Sequence, residues 1–483
     1  MAAIAVIAPT DRATAAIATI APTVQAIAGA RGGMTPGGDR MIPTLRLPRG
    51  AALVAETAEA ARSFAVGFWF PIGSRHEAPQ ERGFVHFVEH MTFKGTTKRS
   101  AAGISREIDR VGGYLNAFTD RDSICIHCQV PAARWRLALD VLADMAFNSV
   151  FRIEDFERER EVIVSEILSA RDDPEERSHD EFLTSIWPSD PLSRKIAGES
   201  EDIRRITRDA LYSFYEAEFS PRSLLVTASG PLPPADVAEA LSSLLEGPPR
   251  GYAEQSVSPR RVSSRRPEAT PLFRRASGYK RADMEQVHYY EAVQLDPPFC
   301  ENDYYALAAL NSALGEASSS RLFLSLREEK GLCYSVYSAF AMSRTECLWM
   351  ASANVSEAQL AALSTEMDRQ LDVAAENGIG DEECADAVSR LAGSFDLALD
   401  DTDFRMRRIA RQTFFSGEAQ DVEEARECMA RLSGEDVNAI CVRLLKGRER
   451  ARFAYGSLSR RTAKASGLTE AKLFGISAAA RRG

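Results

Sequence analysis

The chain reads as an α+β protein of two similar domains, each a mostly antiparallel sheet with helices packed on one side. Three observations carry this reading. A length of 483 residues exceeds what one ordinary hydrophobic core fills, since single cores stop growing at about 250–300 residues. Hydrophobic residues make up 45% and charged residues 27%, the balance of a folded globular chain. Finally, the order of strands and helices in the first half returns in the second. Gly113-Tyr114 aligns with Gly331 through Tyr334, and Gly230 with Gly456, at offsets of roughly 220 residues.

Residues 1–40 are Ala-rich and read as an extension; ordered-looking sequence begins after Met41 at "IPTLRLPRGAALVAE". The apolar run Ser63 to Ile72 is the pattern of a buried strand. A helix carrying "VHFVEH" follows, then the helical "SREIDRVGG", the strand-like "YLNAFTDRDSICIHCQV", and helices around "ARWRLALDVLADMAF" and "IEDFEREREVIVSEILSARDD". After "DALYSFYEAEF", the strand "SLLVTASG" and the helix "PPADVAEALSSLLEG" close a first domain, 41–247. Residues 248–271 lose apolar periodicity and are rich in Pro, Ser and Arg, as a linker or hinge is. The second domain, 272–460, runs through "HYYEAVQL", "ENDYYALAALNSAL", "SRLFLSLREEKG", "LCYSVYSAFA", "SGEDVNAICVRLL" and "RARFAYGSL", leaving a tail at 461–483.

A net charge of −10 argues against duplex DNA or an anionic membrane as main partner, because phosphate binding needs a basic field. No apolar run reaches the ~18 residues of a membrane-spanning helix, and the N-terminal stretch lacks a secretory signal's basic start. Eight scattered cysteines fit a reducing compartment better than a disulfide framework. In "CIHC", strand alternation sends Cys125 and Cys128 to opposite faces, which makes them two buried thiols rather than a metal or redox pair.

The chemistry concentrates in "GFVHFVEHMTFKGT", where His86 and His90 flank Glu89. Histidines at i and i+4 share a helix face, so two imidazole nitrogens can meet one ion at about 2 Å each. Glu89 is placed to take a proton from water at the open position rather than to serve as third ligand. The bland alternative is a pair of half-buried helix histidines bonded to backbone. A third ligand is sought in "FEREREVIVSEIL". On a wheel of about 100° per residue centred on Phe156, the residues Ile153, Ile163, Val164 and Ile167 cluster, and Glu159 and Glu166 fall together beside them. Glu157 and Glu161 point outward. Two carboxylates among apolar neighbours call for a cation; a divalent ion and an ion pair with Arg160 both remain open.

These residues resemble the inverted-motif zinc peptidases of the pitrilysin and insulinase family, most of all the branch of the mitochondrial processing peptidase catalytic subunit and its bacterial relatives. The resemblance spans roughly Thr44 to Leu458 through "HFVEHMTFKGT", "GGYLNAFTDRD", "SEILSARDDPEE" and "SSRLFLSLREEKGLCYSVYS". It implies one zinc ion per chain held by His86, His90 and Glu166, with Glu89 as general base and Glu159 as an outer carboxylate. It implies that Asn116 and Ala117 lie on an edge strand where substrate peptide adds, and that Arg327 and Tyr334 reach substrate from the second domain. Two domains make half of a clamshell, so the resemblance implies a dimer, with a second copy or with an inactive homologue. It implies peptide substrates and a bacterial cytoplasmic location, or alternatively the mitochondrial matrix. A non-catalytic scaffold subunit of the same fold is the alternative function. Asp190, Ser193, Glu316 and Ala317 depart from the family's usual residues.

Overall fold

The computed structural model describes residues 40–246, 270–275 and 277–470. The expected Ala-rich extension and linker fall almost wholly outside these residues, as does the chain after Glu470.

The first half builds a six-stranded sheet from β1 (Thr44–Arg46), β2 (Ala52–Thr57), β3 (Ser63–Phe70), β4 (Tyr114–Thr119), β5 (Ile124–Pro131) and β6 (Leu225–Gly230). Their order is β1-β2-β6-β3-β5-β4, antiparallel except for the β2–β6 pair. The second half repeats the plan with β7 (Ser277–Arg281), β8 (Val287–Leu295), β9 (Ser335–Met342), β10 (Cys347–Val355), β11 (Ala451–Gly456) and β12 (Thr469–Glu470), ordered β9-β10-β8-β11-β7-β12. Five strands match in chain order and position, β2–β6 onto β7–β11, and the one parallel pair among these five recurs as β7–β11. Gly230 and Gly456, aligned from sequence, end the equivalent strands β6 and β11.

Two expectations need correction. The stretch "YLNAFTDRDSICIHCQV" is a hairpin rather than one strand, because the Asp120 carboxylate accepts the backbone N–H groups of Asp122 and Ser123, each at 2.7 Å, and turns the chain. The expected tail from 461 is in part sheet and core. Ala463 and Leu468 are buried in the second core, and β12 pairs with β7.

Strand periodicity determines how the halves join. Along β3, Phe64, Val66, Phe68 and Phe70 enter the core under the first half's own helices, while Ala65 and Trp69 face the opposite side. That opposite face is covered by a helix of the second half, Thr402–Ser416, through Met406, Ile409, Ala410 and Phe414. Trp69 packs edge-on against Phe118 and Phe414 and donates its indole N–H to Thr227 at 2.8 Å. The exchange is mutual. The helix Pro174–Ile186 of the first half covers the outer face of the second sheet, where Phe182 stacks on Tyr290 with centroids 4.7 Å apart. Helices of the same half thus lie on one side of each sheet, as expected, and one helix of the other half covers the second side. Cys125 and Cys128 do separate onto the two faces, in different cores.

Phe182 is fully buried at this crossing, so Phe182→Ala should cost about 3–5 kcal/mol. Denaturant unfolding read by tryptophan fluorescence checks this. A midpoint that does not move would mean that the second sheet does not depend on its borrowed helix.

Candidate metal centre

The histidines sit on the helix Phe84–Thr92, whose apolar residues Phe84, Val85, Phe87, Val88 and Met91 are buried. Its start is set by Gly83, at φ +82°, where an added Cβ would lie 2.8 Å from the Ala197 carbonyl oxygen. The Glu77 side chain accepts the Gly83 and Val85 N–H groups at 2.9 and 2.8 Å, satisfying donors that the helix leaves unpaired, while burial pushes its pKa up to about 8. Phe87 stacks on Phe156 of the helix Ile153–Asp172, with centroids 4.8 Å apart and planes 3° from parallel. This stack sets the histidine-bearing turn against the turns that carry Glu159 and Glu166.

His86 Nε2 lies 3.8 Å and His90 Nε2 3.4 Å from Glu166 Oε2. The ligand atoms of these three residues all fall within 4.8 Å of one another, the one such group of three or more among the described residues. Tetrahedral donors ~2.0–2.1 Å from zinc stand roughly 3.3 Å apart, so the cluster suits a zinc ion. Two imidazoles and one carboxylate are also a donor set that leaves a coordination position open. Glu166 is 53% exposed on its side chain, whereas His86 is buried, so the opening faces solvent.

Surrounding groups tune these ligands. His90 Nδ1 is 3.1 Å from Glu159 Oε2, and Lys94 Nζ is 2.7 Å from Glu159 Oε1. A carboxylate behind a ligating imidazole fixes which ring nitrogen faces the ion. Among the described residues, Nδ1 of His86 has no hydrogen-bond partner. Burial, helped by its neighbour His90, lowers the His86 pKa to about 4. Burial also opposes charge on His90, but the carboxylates of Glu159 and Glu166 prevail and raise it to about 9. Glu159 is held below its usual range, because hydrogen bonds from His90 and Lys94 outweigh burial. The carboxylates therefore favour positive charge beside His90, and a divalent cation supplies it while leaving both imidazoles neutral.

Burial raises the Glu89 pKa, with the Thr119 hydroxyl opposing through a 2.6 Å hydrogen bond to Glu89 Oε2. Thr119 ends β4, which is an edge strand. On that strand the Ala117 N–H donates at 2.9 Å to the side-chain oxygen of its neighbour Asn116. Arg327 and Tyr334 are brought together elsewhere: the Arg327 guanidinium lies 5.3 Å from the Tyr334 ring and 4.7 Å from that of Phe323, and Tyr334 is 78% exposed.

Arg160 does not serve the carboxylates; it pairs with Glu157 and donates to the Ile206 carbonyl at 2.8 Å. Glu159 is buried as expected, but Glu166 lies at the rim, and Ile153 is exposed because it is the helix's first residue and projects beyond the core. Asp190 caps its own turn by accepting the Leu192 N–H at 2.9 Å. Thr119 was not foreseen, since nothing in local spacing links it to Glu89. Lys94 was readable, standing one helical turn beyond His90.

Residues 52–200 match the family described as Insulinase (Peptidase family M16), and residues 205–391 match the one described as Peptidase M16 inactive domain. An uncharacterized zinc protease of Streptomyces coelicolor is 34% identical over 413 residues, covering 83% of this chain and 88% of that protein. A protease from Helicobacter pylori shares the fold at a TM-score of 0.76 and 19% identity, over 87% of this chain and 100% of its own. A chain of complex III from Candida albicans shares it at 0.70 and 17%, over 88% and 99%. The three converging side chains and Glu89 all lie within the first matched segment, and by its likeness to the Streptomyces protein along most of both chains, this chain belongs to the insulinase family of peptidases, M16.

Proposed function

We propose that the chain is a zinc-dependent endopeptidase that cuts extended or unfolded peptides inside a chamber closed by two chains. The convergence of His86, His90 and Glu166 beside Glu89 carries the reading. These three residues would hold one zinc ion per chain, with Glu159 orienting His90. When bound, zinc supplies Lewis acidity, which acidifies water and polarises a carbonyl.

The chain's own groups do the rest. Glu89 is the general base: it takes a proton from the attacking water and delivers it to the leaving amine. Its raised affinity for a proton suits that shuttle, and Thr119 keeps the carboxyl turned to the site. The open edge of β4 offers backbone groups to a peptide that adds as a further strand, a mode that selects extended conformation more than sequence. The Ala117 N–H is held by the Asn116 side-chain oxygen, a bond that a peptide carbonyl would replace. Binding along a strand edge accepts interior segments of a chain, hence endopeptidase.

The second chain is part of this reading. Arg327 and Tyr334 contact each other in the second half; in a dimer they would serve the other chain's metal centre. One chain carries both sets, which favours a homodimer over a pairing with an inactive homologue. Eight free cysteines and bacterial relatives support a location in the bacterial cytoplasm. A scaffold of this fold, the competing reading, has no use for Glu89 at an open metal position.

Glu89→Gln should retain one zinc per chain by metal analysis while peptide turnover falls on the order of a hundred- to ten-thousand-fold; undiminished turnover would remove its role as base. Glu159→Gln should weaken zinc binding about 10–100-fold in competition with a chelator, and equal affinity would deny it any hold on His90. Mixing Glu89→Gln chains with Arg327→Ala chains should restore part of the activity. No recovery despite proven subunit exchange would contradict action across the dimer.

A further inference from the structure

The hairpins β4–β5 and β9–β10 occupy equivalent places in the two halves, and their turns are built alike. In the first, the Asp120 carboxylate caps the N–H groups of Asp122 and Ser123. In the second, the Ser343 hydroxyl accepts the N–H groups of Thr345 and Glu346 at 2.9 and 2.8 Å. One side chain joins these turns. Arg75 Nη1 donates to Asp122 Oδ1 at 3.1 Å and to Glu346 Oε1 at 2.8 Å, and all three residues are buried at 4% exposure.

The loop that carries Arg75 is seated on the first turn by its backbone as well. Ser74 N–H donates to the Asp120 carbonyl at 3.1 Å and Arg75 N–H to that of Arg121 at 3.0 Å. A Cβ at Gly73 would sit 2.4–2.5 Å from backbone atoms of Asp120, Arg121 and Asp122, so only glycine lets the loop approach so closely. Glu346 reaches this assembly from the other half of the chain. One residue before Asp120 stands Thr119, whose hydroxyl holds Glu89.

Burial and the neighbouring Glu346 hold the Asp122 carboxyl well above its usual range, though Arg75 opposes them. A buried charged cluster seldom stabilises a fold more than apolar packing of the same volume; what it adds is defined geometry. Here the geometry it defines is the end of the edge strand nearest the metal centre. We propose that Glu346 is a positioning residue for peptide cleavage: through Arg75 and Asp122 it anchors the β4–β5 turn to the second half, and so holds Thr119, Glu89 and the open edge of β4 in register with the metal ligands. This inference rests on the peptidase reading. It gives the half without a metal centre a part in catalysis that is separate from the service of Arg327 and Tyr334 to a second chain.

The test uses the full-length, zinc-loaded protein and an unstructured fluorogenic peptide. Glu346→Gln keeps the side-chain volume but weakens the charge pairing, whereas removing Arg75 would leave two buried carboxylates facing each other and risk unfolding. With zinc stoichiometry unchanged, Glu346→Gln should lower kcat/KM about ten- to a hundredfold, mostly through kcat, and Glu346→Asp should recover part of the loss. Amide hydrogen exchange should quicken in residues 119–123 and not in the helix Phe84–Thr92. Unchanged exchange in that turn together with unchanged kcat/KM overturns the proposal, and so does a loss of activity that merely follows loss of zinc. If the wild-type protein cuts no peptide, the peptidase reading fails instead, and the exchange measurement still decides whether Glu346 anchors the turn.

Discussion

Two imidazoles, a buried glutamate behind one of them and two further carboxylates beside them share one small space at the protein's rim. Lys94 offsets part of the negative charge from behind Glu159, and a cation between the imidazoles would offset the rest. The carboxylates draw positive charge to His90 while burial denies it to His86, so the pair is electrostatically divided. One divalent ion would satisfy both, with each imidazole a neutral donor. Glu166, the most exposed member, would complete the set from the solvent side.

The fold holds these groups to within a hydrogen bond's tolerance by exchange between halves. Each sheet is apolar on both faces, yet each half packs most of its own helices on only one. The helix Thr402–Ser416 and the helix Pro174–Ile186 cross to cover the remaining faces, tying the halves into one body. Further contacts reinforce this: Glu56 of β2 is paired with Arg405 and Arg408, and His127 of β5 lies 3.1 Å from Asp403. The first half contributes the candidate metal ligands, and the second braces the strands around them.

Much of this was legible in sequence because it is local. The i, i+4 spacing of His86 and His90 gives a shared helix face directly, and a helical wheel brings Glu159 and Glu166 together on another. The same wheel misplaced Ile153, because a wheel describes direction around a helix but not where its axis leaves the core. The doubled architecture was visible in the recurrence of elements, and the glycines used to align them do close equivalent strands. What was not visible joins residues far apart in the chain. Thr119 meets Glu89 only after the hairpin folds beside the histidine helix, and Arg75 meets Glu346 across 271 positions. Amphipathic helices likewise declare which face they bury but not which sheet receives it, so the exchange of helices had no sequence signature.

The central claim is that His86, His90 and Glu166 together hold a zinc ion. X-ray absorption at the zinc edge, on protein carrying one ion per chain, addresses it directly. The account predicts a first shell of nitrogen and oxygen only, at about 2.0–2.1 Å, with the outer scattering of two imidazole rings; sulfur in that shell, or fewer than two imidazoles, would contradict it.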